Sequence, residues 1–470
     1  HLIIDEAHHL EDEATRQLGI ELSQRRFEEE LSGLSRLLIE LEIFVRGGGI
    51  SKPQRNNLGD IAAQIDSWLR SKANNWMELW GMLEKVLNTC QDDGVQSQLR
   101  LDEGVRSQPV WHSVALSSEQ TDVAWQEGIK LVDKLVSVLE QYFKDSELDC
   151  GALLNDLSSW SERQELVRNN LRDILQFSRQ GEHVDWISQD ARSGDIDLKS
   201  APLDVSGKLA TQLFSLDGGV ILTSASLTTN DNFEYMKQRM GFVGGDELLV
   251  DSPFDYSKAA ILLMPSDMPA PNSPQYIGEL ARAIVSLART LEGRTLVLFT
   301  SHSSLRATQQ IVKAQLQSDQ IGVLAQGIDG PPAQLAKRFM RNNRSVLLGT
   351  SSFWEGVDLS EGVLKALVLA KLPFNVPNEP VFAARSNLYD DPFREYALPQ
   401  AVLRFRQGFG RLIRHKEDRG VIAILDNRVM KRNYGRIFLE SLPACGVRND
   451  SLSALGTLAH QWVNGDLKDA

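Results

Sequence analysis

Leu2-Ile3-Ile4-Asp5-Glu6-Ala7-His8-His9 stands at the head of the chain. Branched apolar residues followed at once by two carboxylates read as a buried strand that ends where a site can form. A nucleotide hydrolase needs this arrangement, with one acid to hold Mg²⁺ and a second to orient water. Asp5 suits the metal and Glu6 the water. A purely structural reading stays open, because apolar strands often end in acids. A zinc protease fits less well: it needs His-Glu-x-x-His on a helix, and here Glu6 precedes His8 and His9 just off a strand. The chain starts at His1 without a Met or a basic leader, inside what reads as a strand. The expectation is therefore a portion of a longer protein.

Beyond this strand the pattern becomes helical from about residue 20 to 190. Phe27, Leu31, Leu34, Leu38, Leu41 and Val45 are spaced 4, 3, 4, 3, 4, and so are Trp125, Ile129, Val132, Val136, Leu139 and Phe143. Such seams belong to long packed helices. Gly47-Gly48-Gly49 and Pro53 interrupt the first of them. The spacing predicts an all-helical insertion built from antiparallel hairpins. After about 190, short apolar runs alternate with helical stretches. The runs are Gly219–Leu222, Leu296–Phe299, Val346–Leu348, Ala366–Ala370 and Val421–Leu425; the helices lie near 275–291, 303–316, 333–341 and 394–413. This alternation predicts an α/β fold with a parallel sheet and helices on both faces. The runs end in Thr223-Ser224, Thr300-Ser301, Gly349-Thr350-Ser351 and Asp426-Asn427, where an open α/β sheet places its ligands.

Composition narrows the class. The 470 residues are 42% hydrophobic and 24% charged, which is core-forming and not disordered material. No apolar run reaches the ~18 residues of a membrane span. Cys90, Cys150 and Cys445 are odd in number and widely separated, which excludes a disulfide framework and fits a reducing cytosol. The net charge of −13 argues against a protein coated in phosphate-binding charge, yet leaves room for a local basic groove.

Gln407-Gly408-Phe409-Gly410-Arg411-Leu412-Ile413-Arg414 supplies that basic chemistry. Arginines three apart on a helix share a face and can clamp one anion, although a solvated basic face, extended by Arg404 and Arg406, is the plainer alternative. Gly349-Thr350-Ser351-Ser352-Phe353-Trp354-Glu355-Gly356-Val357-Asp358 follows a strand, and its small and hydroxyl residues would let backbone approach a phosphate or sugar. Trp354 is either a base-stacking surface or, more commonly at such a place, core.

Taken in order, these segments resemble a known family. Asp5-Glu6-Ala7-His8 looks like the DEAH box of superfamily 2 helicases, Thr223-Ser224-Ala225-Ser226-Leu227 is similar to motif III, and Phe299-Thr300-Ser301 to motif IV. Residues 349–358 resemble motif V, and 407–414 match the Gln-x-x-Gly-Arg-x-x-Arg of motif VI. The insertion, Ser252-Pro253-Phe254 and Lys371-Leu372-Pro373-Phe374 with Pro377 look like the XPD/DinG branch, closer to bacterial DinG. The motifs cover roughly 1–15 and 200–430; the insertion matches only in position and helical character.

The resemblance implies an ATP-dependent, Mg²⁺-requiring DNA helicase with two RecA-like domains that move on single-stranded DNA, 5′ to 3′, in a bacterial cytoplasm, acting on DNA junctions in repair or replication. It divides the chain into 1–20 (end of the first RecA-like domain, incomplete), 21–190 (an arch-type insertion), 191–258 (remainder of the first domain) and 259–470 (the second). It gives Asp5 and Glu6 to Mg²⁺ and water, and His8, Ser224 and Ser226 to coupling. Gln407, Arg411 and Arg414 go to the nucleotide phosphates, Gly356 and Asp358 to the nucleotide cleft, and Thr300, Ser301, Thr350 and Trp354 to nucleic acid.

Ser226 departs from the family's usual Thr but keeps the hydroxyl. The phosphate loop is absent: the one Gly-Lys pair, Gly207-Lys208, has Pro202 in place of the first glycine and Leu209 in place of Ser/Thr. The family's iron–sulfur cysteines, where present, lie between that loop and the DEAH box, so they would precede His1. The alternatives are the helicase-like DNA-binding body of a nuclease and a non-catalytic DNA clamp.

Overall fold

The structure, a computed structural model, describes residues 1–47, 49–90, 97–143, 150–176, 179–190, 193–216, 218–228, 232–355, 359 and 364–467. Two compact units share the chain. One comprises His1–Leu10, Lys208–Val376 and Ser386–Ala470, and the other Glu11–Gly207 and Pro377–Arg385. The chain enters the first unit on β1 (Leu2–Ile4) and then passes into the second.

The second unit is built on long helices at Gln24–Arg46, Lys52–Cys90, Pro109–Phe143 and Gly151–Leu175. Ser23 caps the first by accepting from the Arg26 N–H at 3.1 Å. Both predicted seams are core: Phe27, Leu34, Leu41, Val45, Trp125, Ile129, Val132 and Leu139 are buried, and the intervening seam residues pack against them. Phe27 stacks on Trp76, and the Trp68 indole N–H donates to the Ala124 carbonyl at 2.7 Å. A Cβ on Gly128 would lie 2.2 Å from the Trp68 ring, so glycine there sets how closely the two longest helices approach.

This unit is not helical throughout, contrary to the expectation for 21–190. β2 (Ile20–Ser23), β3 (Gln98–Arg100), β4 (His183–Gln189) and β5 (Ile196–Pro202) form an antiparallel sheet in the order β2-β5-β4-β3. Two of its strands are three or four residues long, and β4 buries its residues in adjacent pairs, Val184-Asp185 and Ile187-Ser188, instead of alternately, so period-2 patterning gives it no signal. Because β5 pairs with β2 and β4, the unit runs to Gly207 and not to about 190. Arg385 joins it from far along the chain. Its buried guanidinium meets Glu11 at 2.8 Å and donates to Thr15 Oγ1 at 2.6 Å, to the Leu203 carbonyl at 2.8 Å and to the Pro202 carbonyl at 3.2 Å.

The chain returns to the first unit on β6 (Val220–Leu222), which pairs in parallel with β1, Ile4 opposite Leu222. The seven strands that follow are β7 (Ala260–Leu263), β8 (Thr295–Leu298), β9 (Gly322–Ala325), β10 (Ser345–Gly349), β11 (Ala366–Leu369), β12 (Gly420–Ile424) and β13 (Gly446–Arg448). They make one sheet in the order β13-β7-β12-β11-β8-β10-β9, parallel at every pairing. Alternate residues serve two cores. Val297, Val346, Leu348, Val368 and Ala423 face helices Tyr276–Thr290, His302–Leu316 and Leu455–Asn464. Leu296, Leu298, Leu347, Leu367 and Ile422 face Pro332–Arg341 and Leu398–Phe409. A parallel sheet buried on both faces explains why these strands read as continuous apolar runs.

Candidate active site

β1 delivers Asp5 and Glu6 to the edge of its small sheet. The Thr223 N–H donates to the Ile4 carbonyl at 2.9 Å and the Ala7 N–H to the Thr223 carbonyl at 3.0 Å, which binds the turn after β1 to the one after β6. Glu6 adopts the left-handed region, φ 50°, uncommon for a residue with a side chain, and its N–H donates to Asp5 Oδ1 at 2.9 Å. Asp5 is exposed.

This turn places the Glu6 carboxylate beside His8 and Ser224. Glu6 Oε2 accepts from the Ser224 hydroxyl at 3.3 Å and lies 3.3 Å from His8 Nδ1; His8 Nδ1 and Ser224 Oγ are 2.7 Å apart. The proton order follows. In the His8 tautomer protonated on Nδ1, Ser224 Oγ accepts from the ring and from the Ser226 N–H at 3.1 Å while its hydroxyl donates to Glu6. That tautomer carries its lone pair on Nε2.

Helix Leu398–Phe409 brings Arg406 and Gln407, but it ends before Arg411 and Arg414, which lie in the turn and loop beyond it and not on one helix face as expected. Gln407 Nε2 donates to Ser226 Oγ at 2.9 Å, and Arg406 Nη1 donates to the Thr228 carbonyl at 2.7 Å. Ser226 and Thr228 are both buried. Arg411 Nε donates to the Trp354 carbonyl at 2.8 Å. Arg414 is exposed, and its backbone N–H, like that of His415, donates to Asp418. Asp5, Glu6, His8, Ser224, Ser226 and Gln407 thus form a connected group, with Arg411 on the carbonyl of Trp354.

The remaining expected residues divide. Trp354 is 2% exposed, its indole N–H donates to the Phe299 carbonyl at 3.0 Å, and a Cβ on Gly408 would sit 2.6 Å from its ring. A ring enclosed in this way is core and offers no face to a base, which corrects the stacking expectation. Thr350 is also buried, donating to Gln326 Oε1 at 3.1 Å with His302 Nε2 at 3.3 Å. Ser301 caps helix His302–Leu316, accepting from the Ser304 N–H at 3.3 Å, and Thr300 beside it is half-buried. Gly356 and Asp358 lie outside the described residues.

Residues 284–445 match the helicase C-terminal domain, a span that includes segments 299–301, 349–358 and 407–414. The ATP-dependent DNA helicase YoaA of Escherichia coli (strain K12) is 31% identical over 465 residues, covering 97% of this chain and 64% of that protein. The 3′-5′ exonuclease DinG of Bacillus subtilis (strain 168) is 30% identical over 464 residues, covering 95% of this chain and 49% of that protein. Along nearly its whole length the chain is similar to DinG-like helicases. It spans about half to two thirds of the length of these curated relatives. A solved structure of S. tokodaii Xpd4 superposes with a TM-score of 0.50 at 15% identity, covering 95% of this chain and 75% of that one, so the DinG-like chain has the RecA-like helicase fold.

Sequence reasoning missed several members of the site. Gln326 follows β9, a strand the apolar runs did not reveal, and His9 Nε2 meets Glu355 Oε2 at 3.4 Å across a separation that no local pattern encodes. A polar cluster at the ends of β11 and β12 also went unread as a unit. Asp426 accepts from the Leu372 N–H at 2.9 Å and pairs with Arg428 at 2.6 Å, while the Tyr276 hydroxyl donates to the Ala370 carbonyl. Burial, reinforced by Arg428, holds the Lys371 ammonium below its usual pKa. No helix among the described residues is long and apolar enough to cross a membrane.

Proposed function

We propose that these residues are the DEAH-box and C-terminal portion of an ATP-dependent DNA helicase that translocates on single-stranded DNA, 5′ to 3′, in the bacterial cytoplasm. The observation that carries this reading is the hydrogen-bonded chain from Glu6 through Ser224 and Ser226 to Gln407, because it joins the carboxylates after β1 to the arginine-bearing segment of the helicase C-terminal domain.

The donor set suits Mg²⁺, a hard cation that favours one or two carboxylates plus phosphate oxygens: Asp5 is exposed, and Oδ1 takes only its neighbour's N–H among the described contacts. Asp5 would hold the ion, which neutralises phosphate charge when bound. Glu6, oriented by Ser224 and His8, would accept a proton from the attacking water. His8 and Ser224 move with Glu6, and Ser226 passes that change to Gln407. Arg414, exposed, and Arg411, anchored on the Trp354 carbonyl, would meet the phosphates, with Gly356 and Asp358 on the same cleft. Thr300 and Ser301 would offer backbone and hydroxyls to DNA, including DNA at junctions. No Gly-x4-Gly-Lys-Ser/Thr occurs in the 470 residues, and Gly207-Lys208 lies in helix Ser206–Gln212, so turnover is assigned to the product of the complete reading frame.

The exonuclease name of the Bacillus relative raises a second reading. Among the described residues the sole metal-type cluster is His8, His9 and Glu355, which is no two-carboxylate nuclease centre, so cutting is not assigned to these residues. The test is to assay the complete product for DNA-stimulated ATP hydrolysis and for separation of duplexes with a 5′ or 3′ tail. Stimulated hydrolysis with unwinding of the 5′-tailed duplex is expected. Failure to hydrolyse ATP with DNA present would overturn the proposal.

A further inference from the structure

Three side chains converge beside the carboxylates: His8, which also orients Glu6, and His9 and Glu355, to which the chemistry at Asp5 and Glu6 gives no part. His8 and His9 end the short turn Ala7–His9, and Glu355 follows helix Ser351–Trp354 after β10. One ligand-type atom from each lies within 4.8 Å of the other two. His9 Nε2 and Glu355 Oε2 are 3.4 Å apart, long for a charge-assisted hydrogen bond. It is, however, the separation of two donors on one tetrahedral ion with bonds of ~2.0–2.1 Å, which stand ~3.3–3.4 Å apart.

The hydrogen bonds around His8 prepare it for the same role. A metal-ligating imidazole keeps its lone pair for the ion and commits its other N–H to a hydroxyl, carbonyl or carboxylate, which fixes the ring. His8 Nδ1 lies 2.7 Å from Ser224 Oγ and 3.3 Å from Glu6 Oε2, partners that suit the tautomer with its lone pair on Nε2. The His8 and His9 ring centroids are 3.9 Å apart, which places both imidazoles at one spot.

We propose that His8, His9 and Glu355 form a site for a single divalent transition-metal ion of the zinc class, with a position left for water. Two imidazoles and one carboxylate select a borderline ion over Mg²⁺, which prefers oxygen and keeps its own waters. The ion would tie the turn after β1 to the segment after β10 within the first unit. On the helicase reading it would brake the motor by joining the DEAH turn to motif V; that consequence rests on the proposed function, whereas the site does not.

The test titrates the nucleotide-free 470-residue chain with Co²⁺ and follows its visible d–d absorption, then competes with Zn²⁺ and with excess Mg²⁺. One Co²⁺ per chain, displaced by Zn²⁺ and not by Mg²⁺, is expected. His9→Ala and Glu355→Gln should each weaken binding by about ten-fold or more. The side chains are 45% and 30% exposed, so neither substitution empties a core. Zn²⁺ should raise the thermal midpoint of the wild type by more than that of either variant at the same concentration. Absence of a d–d band, affinity unchanged in both variants, or a thiolate charge-transfer band from Cys90, Cys150 or Cys445 would each overturn the site. Because no reading requires ATP or DNA, loss of the helicase assignment would leave these results unchanged.

Discussion

The first unit contains two parallel sheets made from near-identical apolar runs, and they are solvated very differently. In β1 and β6, Leu-Ile-Ile and Val-Ile-Leu, the middle residues Ile3 and Ile221 are 67% and 56% exposed. In the seven-stranded sheet every residue of β7, β8, β10, β11 and β12 is buried between two helical layers. The large sheet is held by packing on both faces. The small one depends at its functional end on a few hydrogen bonds, from Thr223 and among Glu6, His8 and Ser224. The proposed chemistry is split along the same line, with carboxylates after a strand of the two-stranded sheet and arginines just beyond a helix packed on the seven-stranded one.

That division is most exposed to attack at its arginines. In the complete product, Arg414→Ala should lower DNA-stimulated ATP hydrolysis by about 10³-fold or more while leaving thermal stability unchanged, since the side chain is exposed. Arg411→Ala should lower both, because Arg411 Nε also holds the Trp354 carbonyl. Equal losses of stability would show that the two arginines do not differ as the structure says.

The contrast in packing is tested next. In the 470-residue chain, Leu296→Ala or Leu347→Ala, both fully buried, should cost about 2–5 kcal/mol in chemical denaturation, whereas Ile3→Ala and Ile221→Ala should stay within about 0.5 kcal/mol. A large cost at Ile3 would mean that its exposed face is not solvated. Gly408→Ala forces a methyl against the Trp354 ring and should cost about 1–3 kcal/mol, measured the same way.

The smallest effect belongs to the second unit and serves as a control outside both parallel sheets. Burial pushes the Asp185 carboxyl above its usual pKa despite Arg106 at 3.1 Å. The folded state therefore holds this proton more tightly than the unfolded chain. The stability so gained is fully present below the unfolded pKa of ~3.9 and is lost as pH rises through the folded value. Relative to Asp185→Asn, the wild type should gain stability as pH falls from 7 towards ~4. A gap that moves the other way would show that Arg106 outweighs burial.

The sequence reveals the two-faced sheet where strands are central and apolar, as at β8, β10, β11 and β12, and hides it at the margins. β13 is three residues with one apolar side chain, β9 is a short edge strand, and β7 follows helix Tyr256–Ala259 with no turn residue between them. The helical seams were legible because a 3.5-residue repeat persists over many turns. The strands β2 to β5 were not, since their pairing joins residues from 20 to 202. At the site, Asp5, Glu6, Ser224, Gln407 and Arg411 could be read because each follows a strand end or repeats a local spacing. The burial of Trp354 depends on Gly408, and the approach of His9 to Glu355 depends on two separate turns; such meetings are tertiary and leave no periodic trace.

The account turns on Glu6 acting as the group that activates water within a site shared by the two sheets. The direct measurement is single-turnover ATP hydrolysis, alongside ATP affinity, for the complete product carrying Glu6→Gln. The amide keeps the shape and can still accept from Ser224, but it is no base. Retained ATP binding with hydrolysis reduced by about 10²-fold or more is the predicted result. Hydrolysis at the wild-type rate would remove Glu6 from the chemistry and, with it, the claim that the turn after β1 is where the reaction is driven.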